Sequence, residues 1–254
     1  MLAIIGPAKT IDMSPHEVTD KTTRPAYLED AGLLIDQLRQ YSVNDLKKLL
    51  KVSDKLATLS FERIASWKTD YSKQESNQAI LAFSGEVFNG LNARSLKEDD
   101  LLFSQKTVRI LSGLYGILKP MDSILPYRLE MGTKIKNLRG ATLYEYWKGI
   151  IPEGISRATS ESGSEVLINL ASNEYFKSID PTNFPYRIIS PVFKEEDGNG
   201  FRNVTIFAKK ARGMMLRFIL QNRISEPEEL KAFDAEGYYF NPQESTMDEW
   251  WFCR

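Results

Sequence analysis

The sequence predicts an α/β (α+β) fold: a single domain over residues 1–254, with a mixed central β-sheet flanked by helices. Three observations lead there. Short apolar runs that suit buried strands alternate loosely with stretches of helical period. A hairpin pattern comes late in the chain and argues for a mixed sheet. No linker, repeat or low-complexity tract divides the 254 residues, a length that is long for one domain and short for two.

The elements follow in order. Leu2–Ile5 is apolar and closed by Gly6-Pro7, the pattern of a buried first strand. Residues 12–25 are polar and proline-bearing, so they form a surface loop. Ala26–Tyr41 is helical, with Leu34 and Leu38 four apart and Ile35 widening the stripe. Val43–Leu50 is a second helix. Ser53-Asp54 can cap a third that runs to Trp67, with Leu56, Leu59, Ile64 and Trp67 on or near one face. Ala79–Phe83 reads as a strand and Glu98–Gln105 as a short helix. Val108–Leu111 fits either a strand or more of that helix. Glycines at 113, 116, 132 and 140 and prolines at 120 and 126 make 112–140 rich in loops. Leu143–Ile151 is helical, and Val166–Ala171 is a strand covered on both faces. Pro191 puts the strand Tyr186–Phe193 at an edge or a bulge. Asp197-Gly198-Asn199-Gly200 turns it into Phe201–Ala208, completing the hairpin. Ala211–Arg223 is a helix, and Glu226–Phe233 starts another after Ser225, with Pro227 in its first turn.

Composition excludes several classes of function. The 33 basic and 34 acidic side chains give a net charge of −1, so an anion site must come from local clustering. One cysteine, Cys253, cannot form an internal disulfide, and with one histidine, His16, it cannot build a zinc or iron–sulfur centre. A lone His16 in a polar loop reads as a solvated residue. No GxxxxGK[ST] loop occurs and no GxGxxG follows the first strand. No cofactor and no metal is expected. The N-terminus lacks the basic region and long apolar run of a signal peptide, and no stretch nears the ~18 apolar residues of a membrane span. The expectation is a cytoplasmic protein without a membrane partner.

Four segments hold residue types that could carry chemistry. Ala208–Arg217 places Lys209, Lys210 and Arg212 beside Gly213, where a strand is expected to give way to a helix. Free amides and the positive helix end favour an anion there, and Arg217 shares a helical face with Lys210. A solvated basic turn explains the same residues. Leu111–Pro120 carries Gly113 and Gly116, a GxxG turn able to offer amides to phosphate, or equally a structural turn. Pro126–Gly132 holds Arg128 and Glu130, which share one face if extended, and a surface ion pair of little worth explains them as well. Asn169–Lys177 ends an apolar strand with Asn169, Asn173, Glu174 and Lys177, where open α/β sheets place ligands, or equally forms a capped strand-to-helix turn. Lys9 and Thr10 after the first strand could meet them at one sheet edge.

These segments, with Pro7-Ala8-Lys9-Thr10, Ser53-Asp54-Lys55-Leu56-Ala57, Ala82-Phe83, Gly85, Gly90-Leu91 and Glu236-Gly237-Tyr238, resemble the bacterial YaaA family of peroxide-stress proteins, in order from residue 1 to about 240. Gly6 and Asn173 depart from the serine and aspartate common there, and Trp250–Arg254 lies outside the pattern. The resemblance implies a cytoplasmic protein that limits iron-dependent oxidative damage and binds double-stranded DNA through a basic cleft and a helix-hairpin-helix-like element. Carried over, the element includes Gly113 and Gly116, and the cleft draws on Lys9, Lys55, Arg128, Lys177, Lys209, Lys210 and Arg212. The other reading is an enzyme acting on a nucleotide-like or phosphorylated small molecule, in a pocket that adds Asn169, Glu174 and Glu130. Direct iron binding has only scattered carboxylates such as Asp122, Glu130 and Glu174 to draw on. Oligomeric state is not legible.

Overall fold

A computed structural model describes every residue except Glu17 and Asn199, the latter in the expected turn before Phe201. β1 (Leu2–Ile5) is wholly buried, as an apolar run ending at Gly6-Pro7 requires. β2 (Thr10–Ile11) precedes three helices, α1 (Leu28–Leu38), α2 (Val43–Leu50) and α3 (Asp54–Ser66). α2 begins in a capping box in which Ser42 and Asp45 exchange hydrogen bonds. α3 turns a different face inward from the one its leucines suggest. Ala57, Ser60 and Ile64 are buried, whereas Leu56 and Leu59 remain exposed. The three- and four-residue steps from Ala57 share Ile64 with the leucine stripe, and small residues allow the closer approach.

β3 (Asn77–Gln78) leads into α4 (Ala79–Ala82), a single helical turn where the sequence suggests a strand, and then β4 (Phe83–Ser84). A short buried apolar run does not carry the period that separates the two. α5 (Glu86–Leu91) and α6 (Glu98–Thr107) follow, and α6 ends where β5 (Val108–Ser112) begins. β6 (Gly116–Leu118) and β7 (Ser123–Ile124) are the strands of the loop-rich middle. The expected helix at 143–151 divides at Gly149, whose φ is +80°, into α7 (Leu143–Tyr146) and α8 (Ile150–Glu161). Pro152 and Gly154 obscured α8 in the sequence, but Pro152 lies in its first turn, where a proline costs no hydrogen bond.

β8 (Val166–Asn169), α9 (Asn173–Phe176), β9 (Arg187–Glu196) and β10 (Phe201–Arg202) come next. The hairpin forms between β9 and β10, with Phe201 opposite Glu196, but Thr205–Ala208 is helical instead of continuing the strand. It belongs to α10 (Thr205–Gln221). β11 (Tyr239–Asn241) and β12 (Glu249–Cys253) close the chain.

One mixed sheet runs β11-β12-β9-β8-β1-β5-β6, with β10 beside β9. The pairs β1–β5, β1–β8, β8–β9 and β9–β12 are parallel, and β5–β6, β9–β10 and β11–β12 are antiparallel. The fold class is the one expected, and strands from residues 2 to 253 share the sheet and one hydrophobic cluster.

β9 lies inside the sheet despite Pro191, and the ladder shows why. The Arg187 amide bonds the β8 side at Glu165 O, and the Ser190 amide bonds the β12 side at Asp248 O. Odd-numbered amides of β9 therefore face β8, whose pairing ends at Ile189. Stepping by two along this register brings Pro191 to Asn169 O, the last residue of β8, so the missing donor costs only the terminal bond of that ladder and the β8–β9 pairing stops at Ile189.

Asp122 is buried and accepts hydrogen bonds from Thr23 Oγ1 at 2.6 Å and the Lys119 amide at 2.8 Å. Burial outweighs these bonds and pushes its carboxyl from 3.8 up to about 6. Between those values the folded protein holds a proton that the unfolded chain has released. This group's contribution is therefore largest below the unfolded value, and it falls by up to about 3 kcal/mol as pH rises through the folded one. Denaturant titrations of wild type and Asp122→Asn at about pH 4 and pH 7 should show the variant gaining relative stability at the higher pH. A pH-independent difference would contradict this environment for Asp122.

Candidate functional site

β1 lies between β5 and β8, so the chain leaves β1 for one neighbour and later returns to the other. Such a switch point opens a crevice at the carboxyl ends of the strands. A cavity of about 310 Å³ lies there. Its walls are the Gly6–Thr10 loop after β1, the Ser84–Phe88 turn into α5, Tyr127–Glu130, the segment from Leu170 to Tyr175, and Lys209 and Arg212 on α10.

Close backbone contacts hold these walls in place. A Cβ on Gly213 would lie 1.8 Å from Val87 O, and one on Gly90 2.0 Å from Lys210 O. Two bare glycines thus let α5 and α10 touch backbone to backbone, and this crossing sets Lys209 and Arg212 over the cavity. Gly113 makes a similar approach, where a Cβ would meet Leu129 O at 2.4 Å. The β5–β6 turn thereby supports the segment carrying Arg128 and Glu130. Ser112 Oγ accepts from the Leu114 and Tyr115 amides and bonds Tyr127 OH at 2.6 Å. The Tyr127 ring meets Tyr115 and Phe83 edge-on, and Phe83 packs on Phe88, so aromatic packing continues to the cavity wall.

The charges in the cavity fall into two sets. Glu130 is shared by two cations: Lys9 Nζ lies 2.8 Å from Oε2, and Arg128 Nη2 lies 3.6 Å from Oε1. One carboxylate against two cations leaves this group one positive charge, and Arg128 Nε is buried without a hydrogen-bond partner. Nearby, burial and then the charge of Arg128 push the Arg63 guanidinium down. The second set has no internal partner. Arg212 is partly buried, its pKa is lowered by desolvation alone, and no carboxylate or carbonyl among the described residues meets its guanidinium. Lys209 beside it is exposed and likewise unpaired among the described residues. Glu174 accepts the Gly132 amide through Oε1 at 2.7 Å, Glu86 on the turn into α5 accepts the Asn89 side-chain amide at 3.4 Å, and neither has a cation within ion-pair distance among the described residues. Burial raises the Tyr127 and Tyr175 phenols, so both keep their protons at neutral pH.

The cavity therefore gathers Lys9, Thr10, Arg128, Glu130, Glu174, Lys209 and Arg212. The other expected residues lie elsewhere. Gly113 and Gly116 turn a buried β-hairpin, not a helix-hairpin-helix, and expose no amides to a phosphate backbone. Lys55 is exposed in the first turn of α3, and Lys177 is exposed after α9. Lys210 pairs with Glu236. Gly213 serves the helix crossing. Arg217 caps the end of α5 through Leu91 O, Asn92 O and Ser95 Oγ. Asn169 is buried and satisfied at the end of β8, donating to Ser190 Oγ and accepting the Ala171 amide. Asn173 is exposed at the start of α9.

The basic segment also differs from its expected setting. α10 begins at Thr205, so Lys209 and Arg212 stand in its second turn, where the amides are spent on helix bonds. Their side chains, not free backbone N–H groups, face the cavity. His16 is not freely solvated: its Nε2 lies 2.6 Å from Asn77 Oδ1 and 2.9 Å from Gln78 Oε1. Among the described residues no three His, Cys, Asp or Glu side chains cluster to hold a metal, and no helix is long and apolar enough to cross a membrane.

A family model described as "Peroxide stress protein YaaA" matches residues 1–244. The chain is 46% identical over 246 residues to a UPF0246 protein of Aliivibrio fischeri strain MJ11, covering 97% of this chain and 95% of the relative. A UPF0246 protein of Aliivibrio fischeri strain ES114 matches with the same identity and coverage.

Proposed function

Because this chain belongs to the YaaA family of peroxide stress proteins, we propose that it serves that response by binding a small phosphate-bearing ligand in the cavity at the sheet's switch point. The observation that carries this reading is the unpaired Arg212, partly desolvated beside unpaired Lys209 in a recess of about 310 Å³. A half-buried guanidinium without an acceptor is unfavourable unless an anion completes it. The volume matches the lower end of small-molecule pockets, and acids inside the recess suit a small ligand better than a duplex backbone. A nucleotide-like ligand, whether bound or chemically altered, fits this reading. No three His, Cys, Asp or Glu side chains cluster among the described residues. Any limitation of iron-dependent damage would therefore run through the ligand and not through iron held by such a cluster. A cytoplasmic location belongs to the same proposal.

Calorimetric titration with inorganic phosphate and with nucleoside monophosphates tests it. One site per chain is expected, with the organic phosphates tighter than the inorganic ion. Absence of heat with every one of them would overturn the reading.

A second reading, duplex DNA binding, is favoured by a different surface. α2 and α3 form a helix pair joined by a tight turn, with Lys51 in the left-handed conformation at φ 52°. Lys48, Lys51 and Lys55 are exposed around that turn and make no ion pair among the described residues. If this hairpin grips phosphates, changing Lys51 or Lys55 to Ala should lower the log–log salt slope of duplex binding by about 0.9 per lysine. A slope unchanged in both variants would remove this surface from consideration.

A further inference from the structure

We infer that the cavity takes a dipolar ligand, a nucleoside monophosphate bearing an exocyclic amine, with its phosphate on Lys209 and Arg212 and its amine on Glu174. The inference rests on the anion-pocket reading and adds the chemistry of the other end of the ligand. Its basis is the distribution of unpaired charge. Lys9 and Arg128 share the single carboxylate of Glu130, so this group keeps one positive charge and adds to the preference for an anion without offering a free acceptor for the other end of the ligand. On α10, Lys209 and Arg212 have no acid in range among the described residues. On the α9 wall, Glu174 has no cation in range among the described residues, and its bond to the Gly132 amide uses only Oε1.

Two unpaired cations on α10 and two carboxylates without a cation on other walls, Glu174 and Glu86, of which Glu86 already takes the Asn89 side-chain amide on Oε1 at 3.4 Å, ask for a ligand carrying an acceptor at one end and a donor at the other. The walls between them choose the body of the ligand. Phe88, Tyr127, Tyr175, Leu129 and Leu170 line the recess and suit a flat, apolar-faced ring. The burial-raised Tyr127 and Tyr175 phenols stay neutral, so the rings themselves bring no negative charge to the recess. A space of about 310 Å³ suits one nucleotide and is small for a dinucleotide.

Matched pairs of ligands test this on the full chain. Calorimetry would compare AMP with IMP, and CMP with UMP, since each pair exchanges an amine donor for a carbonyl acceptor at one ring position. The amine-bearing member should bind at least about tenfold more tightly, because the wrong partner leaves a carboxylate facing an acceptor. In Glu174→Gln, the side-chain oxygen keeps the Gly132 bond and presents an amide donor to the cavity. The preference should then shrink below about threefold or reverse toward IMP and UMP, with circular dichroism and melting temperature unchanged. If AMP and IMP bind equally to wild type while Arg212→Met still weakens both, the dipolar inference fails and the anion pocket stands. If no monophosphate binds, both fall.

Discussion

Gly213→Ala is expected to be the most destabilising single methyl that can be added to this protein. Its Cβ would lie 1.8 Å from Val87 O, 2.7 Å from the Leu91 amide and 2.8 Å from Val87 C, all backbone atoms of α5. A side chain could rotate away from such a contact, but a helix backbone cannot. Gly90 opposes it with a Cβ position 2.0 Å from Lys210 O, so the two helices can relieve the clash only by separating. Separation opens the cluster around Phe88, Leu91, Ala211, Met215 and Leu216. The cost should exceed that of ordinary overpacking and reach upwards of about 4 kcal/mol. α10 would also carry Lys209 and Arg212 off the cavity, so any folded fraction should lose anion binding. Urea unfolding of Gly213→Ala beside Gly32→Ala checks this. Gly32 lies inside α1 with its nearest contact, Thr69 Cγ2, at 3.6 Å. Its alanine variant should be neutral or stabilising by up to about 1 kcal/mol. Two variants of equal stability would contradict the backbone crossing.

Arg212→Met should separate stability from function. The side chain lies partly desolvated on α10 with no acceptor among the described residues, so in the ligand-free protein its charge is a cost. A methionine of similar length keeps the packing and removes the charge, and should stabilise the free protein by about 1 kcal/mol. The same change deletes a charge-assisted contact to the ligand, expected to contribute about 1.5–3 kcal/mol, a loss of roughly 10- to 100-fold in affinity. Thermal unfolding and calorimetry on the same samples read both effects. A variant that melts lower and binds as well as wild type would place Arg212 in the fold and not in the site.

Much of the sheet could be read along the chain because its strands are short apolar runs with clear stops, as in Leu2–Ile5 before Gly6-Pro7. Elements were misread where tertiary contacts outweighed local pattern. Leu56 and Leu59 look like a core stripe, yet α3 buries Ala57, Ser60 and Ile64. Pro191 looks like an edge marker, yet it lies inside the sheet at the last residue of β8, where only the terminal bond of the ladder is missing. Gly113, Gly116 and Gly213 share the small size of phosphate-loop glycines, but Gly113 and Gly213 serve close backbone contacts and Gly116 turns at positive φ against the Trp147 ring, which the sequence alone cannot distinguish. Charge clustering found Lys209 and Arg212, but it could not separate them from Lys210 and Arg217, which the fold engages with Glu236 and the end of α5. The contribution of Ser84–Phe88 and the ring of Tyr127 to the cavity was not foreseen. The Gly85 turn was the only local signal there, and the remaining contacts join residues far apart in sequence.

The claim that an anionic small molecule binds at the switch point is tested most directly by amide NMR spectra of the protein titrated with AMP. The account expects saturable shifts at residues 6–10, 84–88, 127–132 and 170–175 and around Lys209 and Arg212, with little change at 47–55 between α2 and α3. Shifts confined to 47–55, or no saturable shifts at the cavity, would contradict it.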